Sequence, residues 1–281
     1  MTRRWVHIAV AAATLAVLVW RLGTGPFLEG LRTVDGWAVA AASGLAVLTT
    51  VCCAWRWRLV ARGLGVDLPL DTAVAAYYRS LFLNVTLPGG VAGDVHRGWT
   101  HGRDTSDVGR GLRAVAWERV AGQVVQVLLT VTVLLVLPSP VHAVVPLVAV
   151  GLVALLVGVV VAARVRAWPA IALASALVVA GHAATFVIAA RSAGVTAPAS
   201  ELLPLGLLAL QAAALPNVGG WGPREGVTAW AFAAAGLGAS LGVATAVVYG
   251  VIVFVASLPG AAVLVAAELR VPARLHGVAD V

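Results

Sequence analysis

The sequence predicts an all-α polytopic membrane protein with about six transmembrane helices and two re-entrant broken-helix segments. Three observations carry this prediction. The 281-residue chain is 61% hydrophobic and only 11% charged, whereas soluble proteins carry roughly 25% charged residues. Several uncharged apolar runs approach the ~20 residues that a spanning helix needs. Two stretches rich in glycine and proline interrupt further apolar segments, and these residue types break helices.

Six apolar runs predict the spanning helices. They cover residues 5–20, 37–55, 114–137, 141–163, 168–190 and 242–267. Two other apolar regions, residues 71–88 and 201–240, are each interrupted by polar or Gly-rich sequence. We expect each of these two to enter and leave the membrane on the same side, because irregular backbone at membrane depth is tolerated only inside a protein or along a cavity.

The positions of the basic residues, all of which are arginine, predict the topology. Arginines concentrate on the cytoplasmic side of membrane proteins, and here they cluster near residues 3–4, 56–62, 97–113, 164–166 and 270–274. Both flanks of residues 71–88 are therefore Arg-rich, which favours a re-entrant hairpin there and cytoplasmic N- and C-termini. Because the arginines lie between apolar runs, the net charge of +7 does not indicate a nucleic-acid partner.

This topology divides one integral membrane domain, residues 1–281, into two similar parts. Residues 36–137 and 168–267 each contain a span, an interrupted segment and another span, and they start from opposite sides of the membrane. Such inverted repeats place broken helices near the midplane, where they form the binding site. The sequence therefore predicts a site where the two Gly-rich stretches meet.

The first Gly-rich stretch is LPGGVAGDVHR at residues 87–97. Pro88 ends the incoming half-helix, the glycines allow positive φ and expose amides, and Asp94 is placed to cap a new helix. Amides at a helix start bind anions, and Arg97 follows within a turn. One interpretation is a pocket for a phosphate-bearing head group, and the other is a capped turn without a ligand. The residues concerned are Gly89, Gly90, Gly93, Asp94 and Arg97.

The second Gly-rich stretch, LPNVGGWGPREG at residues 215–226, repeats this order. Gly219, Gly220 and Gly222 supply the turn, and Pro223 suits the first position of a helix. Arg224 and Glu225 are adjacent and face different directions on a helix. We therefore expect each to find a partner elsewhere, such as Arg224 with Asp94 or Glu118 of the first half.

A third polar group opens the span that begins near residue 114. Glu118 and Arg119 follow Trp117, and Gln123 lies one turn beyond Arg119 on the same face of the helix. Gln126 continues that face inward. This pattern favours a polar path, with an interfacial anchor as the alternative.

Other chemistry is not indicated. The sequence contains no phosphate-binding loop, no nucleophile elbow and no HExxH motif. Cys52 and Cys53 are adjacent inside an apolar run and lack the spacing of a metal site. We therefore predict no catalytic residue, no cofactor and no metal, and the absence of a recognisable catalytic motif favours a binding protein over an enzyme.

Four stretches taken together resemble the flippase-like family named for the transmembrane region of lysylphosphatidylglycerol synthase. They are WRWRLVARGLGVDL, LFLNVTLPGGVAGDVHR, AVAWERVAGQ, and LPNVGGWGPREG with the later LPG at residues 258–260. The resemblance implies a bacterial inner-membrane protein that handles lipids, without the aminoacyl-transfer domain of the bifunctional synthases. It also places Asn84 among the polar positions. The candidate substrate-binding residues are then Asn84, Gly89, Gly90, Gly93, Asp94, Arg97, Glu118, Arg119, Gln123, Gly219, Gly220, Gly222, Arg224 and Glu225.

Three functions compete at this stage. The first is a flippase- or scramblase-like translocator of an anionic or aminoacylated phospholipid or of a lipid-linked precursor. The second is a non-transporting accessory subunit of a lipid- or glycan-modifying complex. The third is an intramembrane lipid-modifying enzyme that uses Asp94 or Glu118 as acid or base. The expected partners are membrane lipids, with a membrane protein or a second copy of the chain as a further possibility.

Overall fold

Every regular element in the described part of the chain is an α-helix. A computed structural model describes residues 2–87, 89–143, 145–146, 167–215 and 217–266, with side chains from residue 12 onward. The ten helices within these ranges are α1 (Thr2–Leu22), α2 (Gly25–Arg32), α3 (Gly36–Gly63), α4 (Leu70–Thr86), α5 (Ala92–Asp104), α6 (Val108–Val136), α7 (Trp168–Ser192), α8 (Ala199–Ala212), α9 (Pro223–Ala234) and α10 (Ala239–Ser257).

Four segments of the described chain are long and apolar enough to cross a membrane. They are Gly36–Gly63, Val108–Val136, Trp168–Ser192 and Ala239–Ala266, and they correspond to four of the six predicted runs. The first predicted run falls within α1, of which Ala12–Leu22 is a shorter apolar helix. The predicted run 141–163 lies largely outside the described residues. The chain is thus a multi-pass helical membrane protein, and the count of six spans stays a prediction.

The order long, short, short, long occurs twice along the chain. In the first half α3 is followed by α4, α5 and α6, and in the second α7 is followed by α8, α9 and α10. Within each half the consecutive helices pack together, and the two long helices also contact each other. This order agrees with two repeated halves. Their opposite orientation and the re-entrant path of the short helices stay predictions.

Small residues let helices from the two halves approach closely. The largest contact between helices joins α3 to α7, where a methyl group added at Gly181 would overlap the side chain of Thr49. Close approach at small residues is the usual basis of packing in membranes, because lipid removes the hydrophobic drive between helices. Aromatic rings fill the core of the second half, where Phe186 lies 6.3 Å from Phe232 and 6.1 Å from Tyr249 between ring centroids.

Each pair of short helices is separated by one of the Gly-rich stretches, as the sequence predicts. Gly89 and Gly90 have φ of 105° and 63°, a region that glycine enters without the steric cost of a side chain. Pro88 and Pro216 lie outside the described residues. In the second stretch α9 begins at Pro223, which confirms the position predicted for this proline.

The two Gly-rich stretches touch. The Gly89 amide donates a hydrogen bond to the Asn217 carbonyl over 3.2 Å. Gly90 lies so close to Asn217 that an added methyl group would come within 3.0 Å of its side-chain oxygen. A methyl group at Gly219 would likewise meet the Val85 carbonyl at 2.5 Å. The breaks in the two halves are therefore packed backbone to backbone.

Candidate functional site: a buried charge cluster beside the first break

Five charged side chains from three helices come together beside the first break. This charge cluster consists of Arg56 on α3, Asp94 and Arg97 on α5, and Glu118 and Arg119 on α6. The elements that position it are packed in contact, since α5 lies against both α4 and α6, and α3 lies against α6. Four of the five residues were predicted as site residues.

Glu118 is the centre of the charge cluster and is completely buried. Its Oε1 accepts hydrogen bonds from both Nε (2.8 Å) and Nη2 of Arg56 and from the Tyr77 hydroxyl (2.9 Å). Its Oε2 accepts from Nη2 of Arg97 over 2.6 Å. Arg56 also donates to the Ser175 hydroxyl of α7 over 3.0 Å, so the arginine that Glu118 binds connects the two halves of the protein.

Arg97 lies between two aromatic rings. Its guanidinium carbon is 4.7 Å from the ring centroid of Trp57 and 4.1 Å from that of Tyr77, distances that favour cation–π attraction. Its Nε donates to Asp94 over 3.0 Å, and its side chain is fully buried. Arg97 therefore joins the two carboxylates of the cluster and has no surface for a ligand of its own.

Asp94 does not cap α5, which corrects the prediction for this residue. The helix begins at Ala92 with Val91 in the cap position, so Asp94 lies within the first turn and its side chain points into the protein. There it accepts hydrogen bonds from Ser80 (3.2 Å), Asn84 (2.9 Å), Arg97 and Arg119. Arg97 of the same helix and Arg119 of α6 provide stronger partners for a buried carboxylate than the amides of its own turn.

The charge cluster has one positive charge in excess, because three arginines face two carboxylates. Four of its side chains are at most 7% exposed, whereas that of Arg119 is 50% exposed. Arg119 holds Asp94 with Nη2 and presents the rest of its guanidinium outward. The excess positive charge therefore reaches the surface at this one arginine.

Two glycines make room for the cluster. A methyl group at Gly93 would overlap the Ser80 carbonyl, and one at Gly122 would lie 2.7 Å from the guanidinium of Arg56. Gly93 was predicted to supply a positive φ, but it lies inside α5 and is instead a point of close contact between α4 and α5. Gly122 is the final glycine of the AVAWERVAG stretch, and its role is to admit Arg56.

Four amides of the Gly-rich stretches are bound within the protein, contrary to their predicted part in an anion site. The Gly93 amide donates to the Asn84 side chain over 2.8 Å, and the Gly89 amide to Asn217. In the second stretch the Gly220 amide donates to Asn217 and the Gly222 amide to Glu225. These four donors are therefore taken by groups of the protein, and the exposed positive charge beside the first break belongs to Arg119.

The predicted partnership of Arg224 with Asp94 or Glu118 is wrong. Nε and Nη2 of Arg224 donate to Oε1 of the adjacent Glu225 over 3.0 and 2.6 Å. Both side chains are buried, and the guanidinium lies 5.5 Å from the Trp221 ring and 5.2 Å from the Tyr249 ring. Neighbours can pair because Glu225 also turns back to the Gly222 amide at the helix start, a position that brings its carboxylate to the first-turn arginine.

A neutral polar stripe continues from Arg119 along α6. Gln123 and Gln126 both donate to Oε1 of Gln211 on α8, over 2.8 and 3.5 Å. Gln211 in turn donates to the Thr130 hydroxyl over 3.0 Å. We call these four residues the amide ladder. It confirms that Gln123 and Gln126 share one face, and it adds a partner helix from the second half.

Several polar residues of the site were not predicted. Arg56 was interpreted only as a marker of the cytoplasmic side. It lies inside α3, which continues without a break from the apolar run to Gly63. Tyr77 and Ser80 lie at i and i+3 on α4 and share a face with Asn84, a pattern visible in the sequence. Ser175 and Gln211 are distant in sequence from the residues they contact, and no local signal identifies them. Among the described residues, no three His, Cys, Asp or Glu side chains come together to hold a metal ion.

Comparison with known proteins gives one clear result. The family model described as the lysylphosphatidylglycerol synthase transmembrane region matches residues 4–172, which is more than half of the chain. The matched part contains the whole charge cluster and ends before the second Gly-rich stretch. No curated protein matched the chain. The protein is therefore a member of the family of the lysylphosphatidylglycerol synthase transmembrane region.

Proposed function

We propose that the protein moves phospholipids between the leaflets of the bacterial inner membrane, with both termini in the cytoplasm. The substrate class is an anionic or aminoacylated phospholipid or a lipid-linked precursor. One observation carries the proposal: the excess positive charge of the charge cluster reaches the surface at Arg119, where the amide ladder begins. Family membership supports the choice of a lipid over other substrates.

The head group meets Arg119 first. Guanidinium groups bind phosphate through parallel hydrogen bonds, and half of this side chain is exposed while Asp94 fixes its orientation. Because the cluster already has one uncompensated positive charge, a phosphodiester brings it towards neutrality. The buried arginines act behind Arg119, since their hydrogen bonds to Glu118 and Asp94 hold α5 and α6 in place.

The amide ladder gives the head group a way through the apolar layer. From Arg119 to Thr130 the stripe covers roughly 16 Å at ~1.5 Å per residue, about half of a hydrocarbon core of ~30 Å. Neutral amides cost less to place in the membrane than charged side chains. They also replace part of the hydration of a passing head group, while the acyl chains stay in lipid.

The carboxylates favour transport over catalysis. Asp94 accepts hydrogen bonds from Ser80, Asn84, Arg97 and Arg119. Glu118 accepts from two atoms of Arg56, from Tyr77 and from Arg97. An ionised carboxylate has about four lone-pair sites. Asp94 uses two at each oxygen, and Glu118 is completely buried behind its donors, so neither group is free to take a proton from a substrate.

The test is lipid movement in proteoliposomes. Purified protein is reconstituted with fluorescent phosphatidylglycerol and, separately, with fluorescent aminoacylated phosphatidylglycerol, and bleaching by a membrane-impermeant reductant reports the outer leaflet. We expect transbilayer movement faster than in protein-free liposomes. Arg119→Ala is expected to slow it about tenfold or more, because a charge-assisted hydrogen bond is lost.

Arg113→Ala is the matched control, since Arg113 is an exposed arginine on the same helix. Its rate is expected to stay near that of the native protein. Movement equal to that in protein-free liposomes for both lipids would exclude translocation of these substrates. Equal slowing by both arginine variants would show that the charge of α6 acts without a site at Arg119.

A further inference from the structure

An apolar cavity of about 80 Å³ lies between the two halves. Its walls come from α3 and α4 of the first half and from α7 and α10 of the second. At one end it is lined by Cys53 and Tyr77, and both of these contact the charge cluster. The Tyr77 hydroxyl donates to Glu118, and Arg56 lies within hydrogen-bonding distance of the Cys53 sulfur, at 3.7 Å.

Most of the cavity surface is hydrocarbon, although Thr50 and His182 also line it, and three of its hydroxyl groups bond to carbonyls of their own helices. Thr49 donates to the Ala46 carbonyl (3.1 Å), Thr185 to the Gly181 carbonyl (2.9 Å) and Ser257 to the Phe254 carbonyl (2.7 Å), each within its own helix. This leaves mostly hydrocarbon facing the cavity. A water molecule needs two to four polar partners, so the cavity suits an apolar occupant.

Small side chains keep the space open. Ala46 and Ala256 stand on facing walls from different halves, and neither is fully buried, so the cavity reaches the surface of the protein. A single small group needs about 10–15 Å³ of free volume for its centre, so the cavity takes several methylene-sized units. It therefore accepts the end of a narrow, unbranched chain that enters from the lipid.

We propose that this cavity binds the end of a phospholipid acyl chain. This inference rests on the proposed function, because the cavity ends at the charge cluster that handles the head group. A phospholipid has the same arrangement as the site: charge at one end and hydrocarbon beside it. The cavity then fixes how far the lipid enters between the halves.

Photolabelling tests the cavity without any transport assay. The protein is placed in nanodiscs with phosphatidylglycerol that carries a photoreactive diazirine near the end of one acyl chain, and the labelled residues are mapped by mass spectrometry. We expect labels on the cavity-lining residues Leu81 and Val253 as well as on the outward-facing Leu48 and Phe254. Labels confined to the outward-facing pair would overturn the proposal.

Ala256→Leu fills the cavity, and Ala262→Leu makes the same change at an exposed position further along the same apolar segment. Ala256→Leu is expected to reduce labelling of Leu81 about tenfold, as displacement of about two methylene groups implies. Ala262→Leu is expected to leave it unchanged. Equal labelling in both variants would overturn the proposal even where lipids still move, whereas labelling without movement would overturn only the proposed function.

Discussion

The two Gly-rich breaks follow the same order in the sequence, but their charges are arranged differently in the structure. At the first break Asp94 and Arg97 belong to a cluster of five charged groups from three helices. At the second, Arg224 and Glu225 satisfy each other with the help of the Gly222 amide. The first group carries one excess positive charge and includes a half-exposed arginine, while the second is neutral and buried.

This difference separates two uses of one local pattern. A neutral buried pair fixes the path of the chain and presents no charge to a ligand. A cluster with uncompensated charge at the surface can hold the turn and also attract an anion. We conclude that repetition of a motif in the two halves of this protein does not produce two equivalent arrangements of charge.

The largest effect is expected from Glu118→Ala. The change leaves Arg56 and Arg97 buried without their shared carboxylate, and breaking a buried ion pair from one side costs about 3–5 kcal/mol. The midpoint of thermal denaturation in detergent, read from tryptophan fluorescence, measures the loss. Glu201→Ala, which removes an exposed carboxylate at the start of α8, is the control. Similar midpoints for the two variants would show that Glu118 is not the centre of the first break.

A smaller loss is expected from Gly93→Ala. The added methyl group overlaps the Ser80 carbonyl, and overpacking of this kind costs about 1–3 kcal/mol. Gly44→Ala is the matched control, because nothing lies within 4 Å of a methyl group there and alanine is the better helix former. Denaturation midpoints compare the two. If Gly93→Ala matched its control, the tight contact between α4 and α5 would not be needed to hold the first break.

The second break is expected to tolerate removal of both charges. Arg224→Met alone leaves Glu225 buried without its arginine, but the double change Arg224→Met with Glu225→Gln keeps an acceptor for the Gly222 amide. Since apolar replacement of a buried ion pair is often neutral, we expect the double variant to lie within about 1 kcal/mol of the native protein in the same denaturation measurement.

The corresponding change at the first break is Arg97→Met with Asp94→Asn. It removes one of the two arginines that hold the buried Glu118 and the carboxylate that pairs with Arg119, so we expect it to be markedly less stable than the native protein. Equal stability of the two double variants would remove the distinction between a self-contained pair and a connected cluster.

The fold class and the location of the site could be predicted because both depend on local patterns. Apolar runs and helix-breaking residues identify membrane helices and their interruptions, and the motif residues Asp94, Arg97, Glu118 and Arg119 do lie together. The partners of the charges could not be predicted in the same way. Arg224 and Glu225 pair as neighbours because the Glu225 side chain bends back to the Gly222 amide at the start of its own helix. A projection of the two residues onto a regular helix does not include the turn before it.

Long-range partners were missed for a related reason. Arg56 lies in a cluster of arginines of the kind that marks the cytoplasmic side of a membrane protein. Its burial depends on the small size of Gly122 on another helix. Gln211 follows an apolar run that begins at Leu202, so its sequence surroundings say nothing of α6. Contacts of this kind depend on how two helices pack against each other. The spacing of apolar residues along one helix does not specify that packing.

The smallest effect, and the one that bears most directly on the amide ladder, is expected from Gln211→Leu. The variant removes the acceptor shared by Gln123 and Gln126, and interhelical hydrogen bonds in membranes contribute about 0.6 kcal/mol on average. A double-mutant cycle with Gln123→Leu measures the coupling. Thr132→Val supplies the uncoupled control, because within the described residues this exposed threonine bonds only to a carbonyl of its own helix.

Lipid movement is measured on the same variants. Slower movement in Gln211→Leu with so small a loss of stability would place the ladder on the path of the head group. Unchanged movement with measurable coupling would make it a packing contact between α6 and α8, and the excess charge at Arg119 would then have no path leading from it.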